Sequence, residues 1–258
     1  MKNITITFIY LFLFTGRLFA QHAHFTRSGT IEFEKKVNMY AIIPKMINKD
    51  NEAFLNPIFD AYKKSQPQFK TGKSTLSFSD NKTLYTPVEE ETVAGGGYFN
   101  NSPIASQNNV IYTDLSAHGG IFQKKVFDET FLVKDSTRKI KWKITDETRE
   151  IAGYTCRRAN AIMLDSIYVV AFYTTDISVS GGPESFCGLP GMILGVALPH
   201  ENITWFATKI TDMTLAPNSV VPPKKGKPTD NKGFKTTLQS AFKNWGTEAP
   251  FYSKAFLL

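Results

Sequence analysis

This chain of 258 residues has only two cysteines, four histidines and three tryptophans. It has no H-E-x-x-H zinc motif, no G-x-S-x-G nucleophile elbow and no Walker A loop, so the commonest short catalytic signatures are missing. After residue 14 no stretch approaches eighteen consecutive apolar residues, which excludes a later membrane-spanning helix. No internal repeat is evident. Its formal charge of +7 is modest for this length and makes no case for nucleic acid.

The first twenty residues have the pattern of an export signal. Lys2 supplies a positive start, Ile4–Phe14 is an apolar stretch, and Thr15–Ala20 ends on a small residue. Cleavage after Ala20 is expected. The mature chain would be secreted across the inner membrane, to the periplasm or the outer membrane surface, and would not be an integral membrane protein.

What remains is rich in material for a core. Apolar residues make up 42% of the chain, with 21 Phe and 10 Tyr. Aromatic residues of this kind favour half-buried pleated surfaces. Gly29–Val37 alternates Ile31 and Phe33 against Glu32 and Glu34. Further strands are predicted over 74–78, 82–87, 110–115, 120–127, 129–134, 139–146, 153–164, 166–174, 192–198 and 203–211, with polar turns between them. Asp135-Ser136-Thr137-Arg138 reads as one such hairpin turn. Strands at this spacing predict a mainly β fold with few helices: a curved antiparallel sheet, or half-barrel meander, with a helix packed on it.

Two helices are predicted. Phe54, Leu55, Ile58, Phe59 and Tyr62 share one helical face, and Leu238, Ala241, Phe242 and Trp245 share another, stopped by Gly246. The domain plan is thus a signal over 1–20, a β domain over 21–215, a Pro/Lys-rich linker over 216–233 and a C-terminal helix and tail over 234–258.

Candidate chemistry is sparse. Lys70-Thr71-Gly72, Ser79-Asp80-Asn81 and Ser136-Thr137-Arg138-Lys139 match the three serine β-lactamase motifs, but in reversed chain order and with the S-x-x-K in a turn rather than on a helix. His22 and His24 could hold a metal weakly, but read better as a solvated tail. His118 and His200 fall in separate turns. Glu89-Glu90-Glu91 precedes Gly95-Gly96-Gly97 and reads as a loop. No catalytic residue, metal site or cofactor is assigned. Two cysteines in an exported chain predict one disulfide, Cys156–Cys187.

One segment stands apart. Gly181-Gly182-Pro183-Glu184-Ser185-Phe186 leads into Cys187-Gly188-Leu189-Pro190-Gly191-Met192-Ile193. Pro190 and Gly191 suit the central positions of a type II turn, with positive φ at Gly191. This string resembles the signature of the GLPGLI family, with Met192 in place of Leu. Lys141–Thr148, Ile151–Ala159 and Ala171–Ile177 are similar to further blocks of that family. The resemblance implies an envelope protein of Gram-negative bacteria, often encoded beside TonB-dependent receptors and surface-export systems, with no catalytic residue carried over.

These readings favour a non-catalytic periplasmic binding or accessory module. Its expected occupant is an apolar ligand between the sheet and the helix of Phe54, Ile58 and Tyr62, or an envelope protein partner. The expected contact rim is Gly182, Pro183, Phe186, Gly188, Leu189, Pro190 and Gly191. The alternative is a metal-binding or metal-assisted hydrolytic enzyme with no recognisable motif.

Overall fold

The structure, a computed structural model, describes residues 26–88, 97–99, 102–164, 166–246 and 249–258. The expected signal, His22, His24 and the Glu89–Glu91 run lie outside the described residues.

Among the described residues twelve strands form one open sheet: β1 (Gly29–Asn38), β2 (Phe69–Ser79), β3 (Lys82–Pro87), β4 (Val110–Asp114), β5 (Gly119–Val126), β6 (Glu129–Ser136), β7 (Lys143–Ile151), β8 (Tyr154–Met163), β9 (Ile167–Thr174), β10 (Met192–Leu198), β11 (Ile203–Asp212) and β12 (Lys227–Thr229). Their spatial order is β12-β6-β5-β4-β3-β2-β1-β11-β10-β9-β8-β7. Two meanders, β2 to β6 and β7 to β11, are joined through β1, which pairs with β2 on one side and β11 on the other. The pairings between these strands are antiparallel except that of β12 with β6, and an isolated parallel bridge joins Thr26 to Ile177. The mainly β, curved antiparallel fold expected from the alternation is present.

The hairpin expected at Asp135–Arg138 is not formed. β6 and β7 stand at opposite ends of the sheet. Ten strand spacings of about 4.8 Å would separate them by roughly 48 Å if the sheet were flat. Yet the chain from Ser136 to Lys143 has only seven Cα steps, a reach of about 25 Å. The sheet must therefore curl until its two ends face each other across a gap that this crossover spans. The free edge of β7 carries Lys143, Asp146, Glu147, Arg149 and Glu150, charges that discourage pairing with another chain.

Among the described residues five α-helices accompany the sheet: α1 (Met39–Ile42), α2 (Glu52–Ser65), α3 (Pro103–Ser106), α4 (Asn231–Ala241) and α5 (Ala249–Leu257). Helix α2 buries Leu55 and Tyr62, but Phe54 is 61% exposed. Helix α4 is capped by Asp230, whose carboxylate accepts from the Gly233 amide at 2.6 Å. It buries Phe234 and Leu238. Helix α5 buries Ala255 and Phe256, and the Phe256 ring stacks on Phe242. Among the described residues no helix is long and apolar enough to cross a membrane.

Candidate functional site: a basic cavity at the open seam of the sheet

Where the two ends of the sheet approach, a cavity of about 670 Å³ opens. Five segments build it: Lys124 on β5, the crossover at 136–140, the end of β8 and the turn after it at 162–164, the first turns of α4, and Leu257 at the end of α5. This volume lies in the range of small-molecule sites. Its walls are polar, with Ser136, Thr137 and Asn231, and its apolar surface includes Ile162 and Leu164, 68% and 39% exposed. Large apolar side chains left in water at a concave surface mark a binding face better than scattered ones do.

Charge here has one sign. Lys124, Arg138, Lys139 and Lys235 all line the cavity, and no carboxylate does among the described residues. Arg138 Nη2 donates to the Leu257 carbonyl at 2.7 Å. Its Nη1 is buried and has no hydrogen-bond partner among the described residues. A buried unpaired donor of a charged group is costly, and it is retained where something else satisfies it. Lys124 Nζ donates to the Phe256 carbonyl at 2.9 Å. Burial, and then repulsion from Arg138, pushes the Lys124 ammonium down to about 7, while Glu184 pulls it upward.

A second, much smaller cavity of about 20 Å³ is lined by Lys35, Gln107, Asn109 and Glu184, with Ala255 of α5 and Leu258 beside them. Asn109 Nδ2 donates to Glu184 Oε2 at 3.0 Å, and Gln107 Nε2 donates to Asn109 Oδ1 at 2.8 Å. Burial raises the Glu184 carboxyl above its usual range, against the pull of Lys35, Asn109 and Lys124. Burial likewise lowers Lys35. Perturbed acids and bases of this kind often mark active sites. Here the space admits about one water and nothing larger. A substrate-sized ligand therefore fits the open seam and not this cluster.

The seam residues are far apart in the chain and form no local motif of a sugar site. A signal was present at two inward-facing lysines. Lys124 sits in phase with buried Phe122 and Val126 on β5, and Lys35 with Phe33 and Val37 on β1. A lysine in the inward phase of a strand either has a paired role or destabilises the core.

The expected contact rim folds inward. Gly182, Pro183, Phe186, Leu189 and Gly191 are buried, and only Gly188 and Pro190 are exposed. The turn at Pro190 closes from the Gly191 amide to the Leu189 carbonyl at 2.7 Å. That is a three-residue γ-type closure in place of the expected type II turn. Trp142 Nε1 donates to the Cys187 carbonyl at 3.0 Å, tying this loop to the crossover.

The expected disulfide is absent: Cys156 and Cys187 are both free and buried. Each has its own surroundings. Cys156 lies in the β7–β8 hairpin, where burial pushes its thiol up to about 12. Cys187 lies near Arg138, and burial pushes it up to about 11 despite that cation. Neither of these two cavities is lined by residues of α2, the helix of Phe54, Ile58 and Tyr62 under which an apolar pocket was expected. Leu55 and Tyr62 fill that side instead. Among the described residues no group of three or more His, Cys, Asp or Glu converges on a point.

An open, strongly curled antiparallel sheet with a cavity at its seam is thus the class of domain in hand. The family model for the N-terminal domain of the N-glycanase peptide matches residues 81–235, and the chain belongs to that family. No curated protein matches. Two solved structures of PNGF-II are similar in fold. The one in space group C2 has 16% identity and a TM-score of 0.51, over 81% of this chain and 32% of that one. The one in space group P21 has 18% identity and a TM-score of 0.50, over 82% and 33%. The chain spans about a third of the length of those proteins. These findings correct the GLPGLI assignment: the shared blocks at 141–177 and the loop at 181–193 belong to an N-glycanase domain. They also overturn the expected non-catalytic binding module, because the family takes its name from an enzyme.

Proposed function

We propose that this chain works in glycan processing of the N-glycanase type, and that the seam cavity receives the sugar part of an N-glycosylated peptide or protein. The single observation that carries this reading is the cavity of about 670 Å³ at the open seam of a family domain named for an N-glycanase. A pyranose ring offers hydroxyls at its edge and C–H bonds on its faces. Ser136, Thr137 and Asn231 suit the first, and Ile162, Leu164 and Phe234 suit the second.

The test is calorimetric titration of the purified chain with an N-glycopeptide and with the same peptide lacking the sugar. Saturable binding of the glycopeptide alone is expected. Equal binding of the two peptides, or of neither, contradicts the reading. Mass spectrometry of the same mixtures reads any release of oligosaccharide.

A further inference from the structure

We infer that the seam cavity is an anion-binding site, and that its ligand presents a carboxylate, sulfate or phosphate group to Arg138, Lys139 and Lys235. That the anionic group is carried on a glycan rests on the function proposed above. The site itself does not depend on it.

Three observations converge. Four basic side chains from three separate parts of the fold line one concavity, with no carboxylate among the described lining residues. Scattered surface lysines usually intersperse with acids, and a cleft lined by one sign focuses its field on the opposite charge. Elsewhere on this protein several described lysines and arginines pair with carboxylates: Lys227 with Glu129, Arg158 with Glu147, Lys209 with Glu32. The nearest acid in sequence, Asp135, is already engaged: its carboxylate accepts from the amides of Asn231 and Ser136.

Arg138 gives the site its geometry. One arm of the guanidinium, Nη2, is spent on the Leu257 carbonyl, which fixes the plane of the group. The other, Nη1, is buried without a partner among the described residues. A guanidinium held in place with one free arm is preorganised for an oxyanion. Lys139 and Lys235 are exposed and stand on the crossover and on α4, so they approach from different elements. The apolar Ile162 and Leu164 beside them suit the body of a ligand larger than an inorganic ion.

The test is calorimetric titration of the full chain with four probes: sialyllactose for the carboxylate, a sulfated lactose for the ester, neutral lactose, and inorganic sulfate. The acidic sugars are expected to bind about tenfold more tightly than lactose, and more weakly as salt is raised. Lys139→Ala/Lys235→Ala, both exposed, should remove that advantage with an unchanged melting temperature. Arg138→Lys, which keeps the charge and loses the fork, should remove part of it. Binding of inorganic sulfate with no sugar binding supports the anion site and overturns the glycan reading. Equal binding of acidic and neutral sugars overturns the anion site and leaves the glycan reading standing. Acidic-sugar binding that survives the double substitution, or no binding of any probe, overturns the anion site.

Discussion

Lys124 on β5 donates from Nζ to the carbonyl of Phe256 at 2.9 Å, across 132 residues of chain. A fully buried lysine thereby caps the end of α5, where unpaired carbonyls accumulate negative partial charge. Arg138 does the same for Leu257. The last helix is thus anchored by the two cations that also wall the seam cavity, and the site and the C-terminal packing stand or fall together.

This anchoring gives stability a pH dependence. Lys124 is held at about 7 in the folded state, well below its unfolded value of 10.5. Between those values the unfolded chain binds more protons, so this group's contribution to stability rises as pH goes from about 7 towards 10. Arg138 and Glu184 act on it with opposite signs. Glu184, raised by burial, works the other way: its contribution is fully present below the unfolded carboxyl value and fades as pH climbs through the folded one. Melting curves at pH 7, 8 and 9 should show the wild type gaining on Lys124→Met as pH rises. Parallel trends would remove Lys124 as the titrating group.

Gly191 and Gly188 differ in kind. A Cβ on Gly191 would stand 2.0 Å from the Thr174 carbonyl oxygen, and its φ is +155°. Gly188 has φ +92° but its nearest neighbour, Trp142 Nε1, would be 3.8 Å away. Gly191→Ala meets strain and a backbone clash, whereas Gly188→Ala meets strain alone. Chemical denaturation should show Gly191→Ala losing more than about 2 kcal/mol and Gly188→Ala about 1 kcal/mol. Equal losses would refute the close approach to Thr174.

Both thiols should be free and slow to react. Their buried positions keep them protonated at neutral pH, and the thiol is a poor nucleophile. Alkylation without reductant should label two cysteines in denatured protein and neither promptly in folded protein. Two unlabelled cysteines after denaturation would reinstate the bridge.

Much of the fold could be read from local pattern. The alternation at Ile31 and Phe33, and the polar turns at Asp80–Asn81 and at Pro199–Asn202, match strands of the sheet, but β7 runs over 143–151 where 139–146 was expected, and β2 begins at Phe69 where 74 was expected. Order in the sheet could not be read this way. Nothing local in Asp135–Lys139 distinguishes a hairpin from a crossover between two ends of a sheet. β12 was hidden in Pro/Lys-rich sequence because its pairing is three residues long and parallel. Helix α5 lacks a polar face, so periodicity passed over it. The seam site eluded sequence reading for the same reason: Arg138, Ile162 and Lys235 are brought together by curvature of the whole sheet. The S-x-x-K string at Ser136–Lys139, set aside as a coincidence, turns out to carry two of its cations.

The central claim is that the seam is where sugar binds, and amide chemical-shift mapping tests it most directly. An isotopically labelled sample titrated with an N-glycopeptide should show its largest shifts at 136–140, 162–164 and 231–235. Shifts confined to other surfaces, such as the loop at Gly188 and Pro190 or the exposed face of α2, would contradict it.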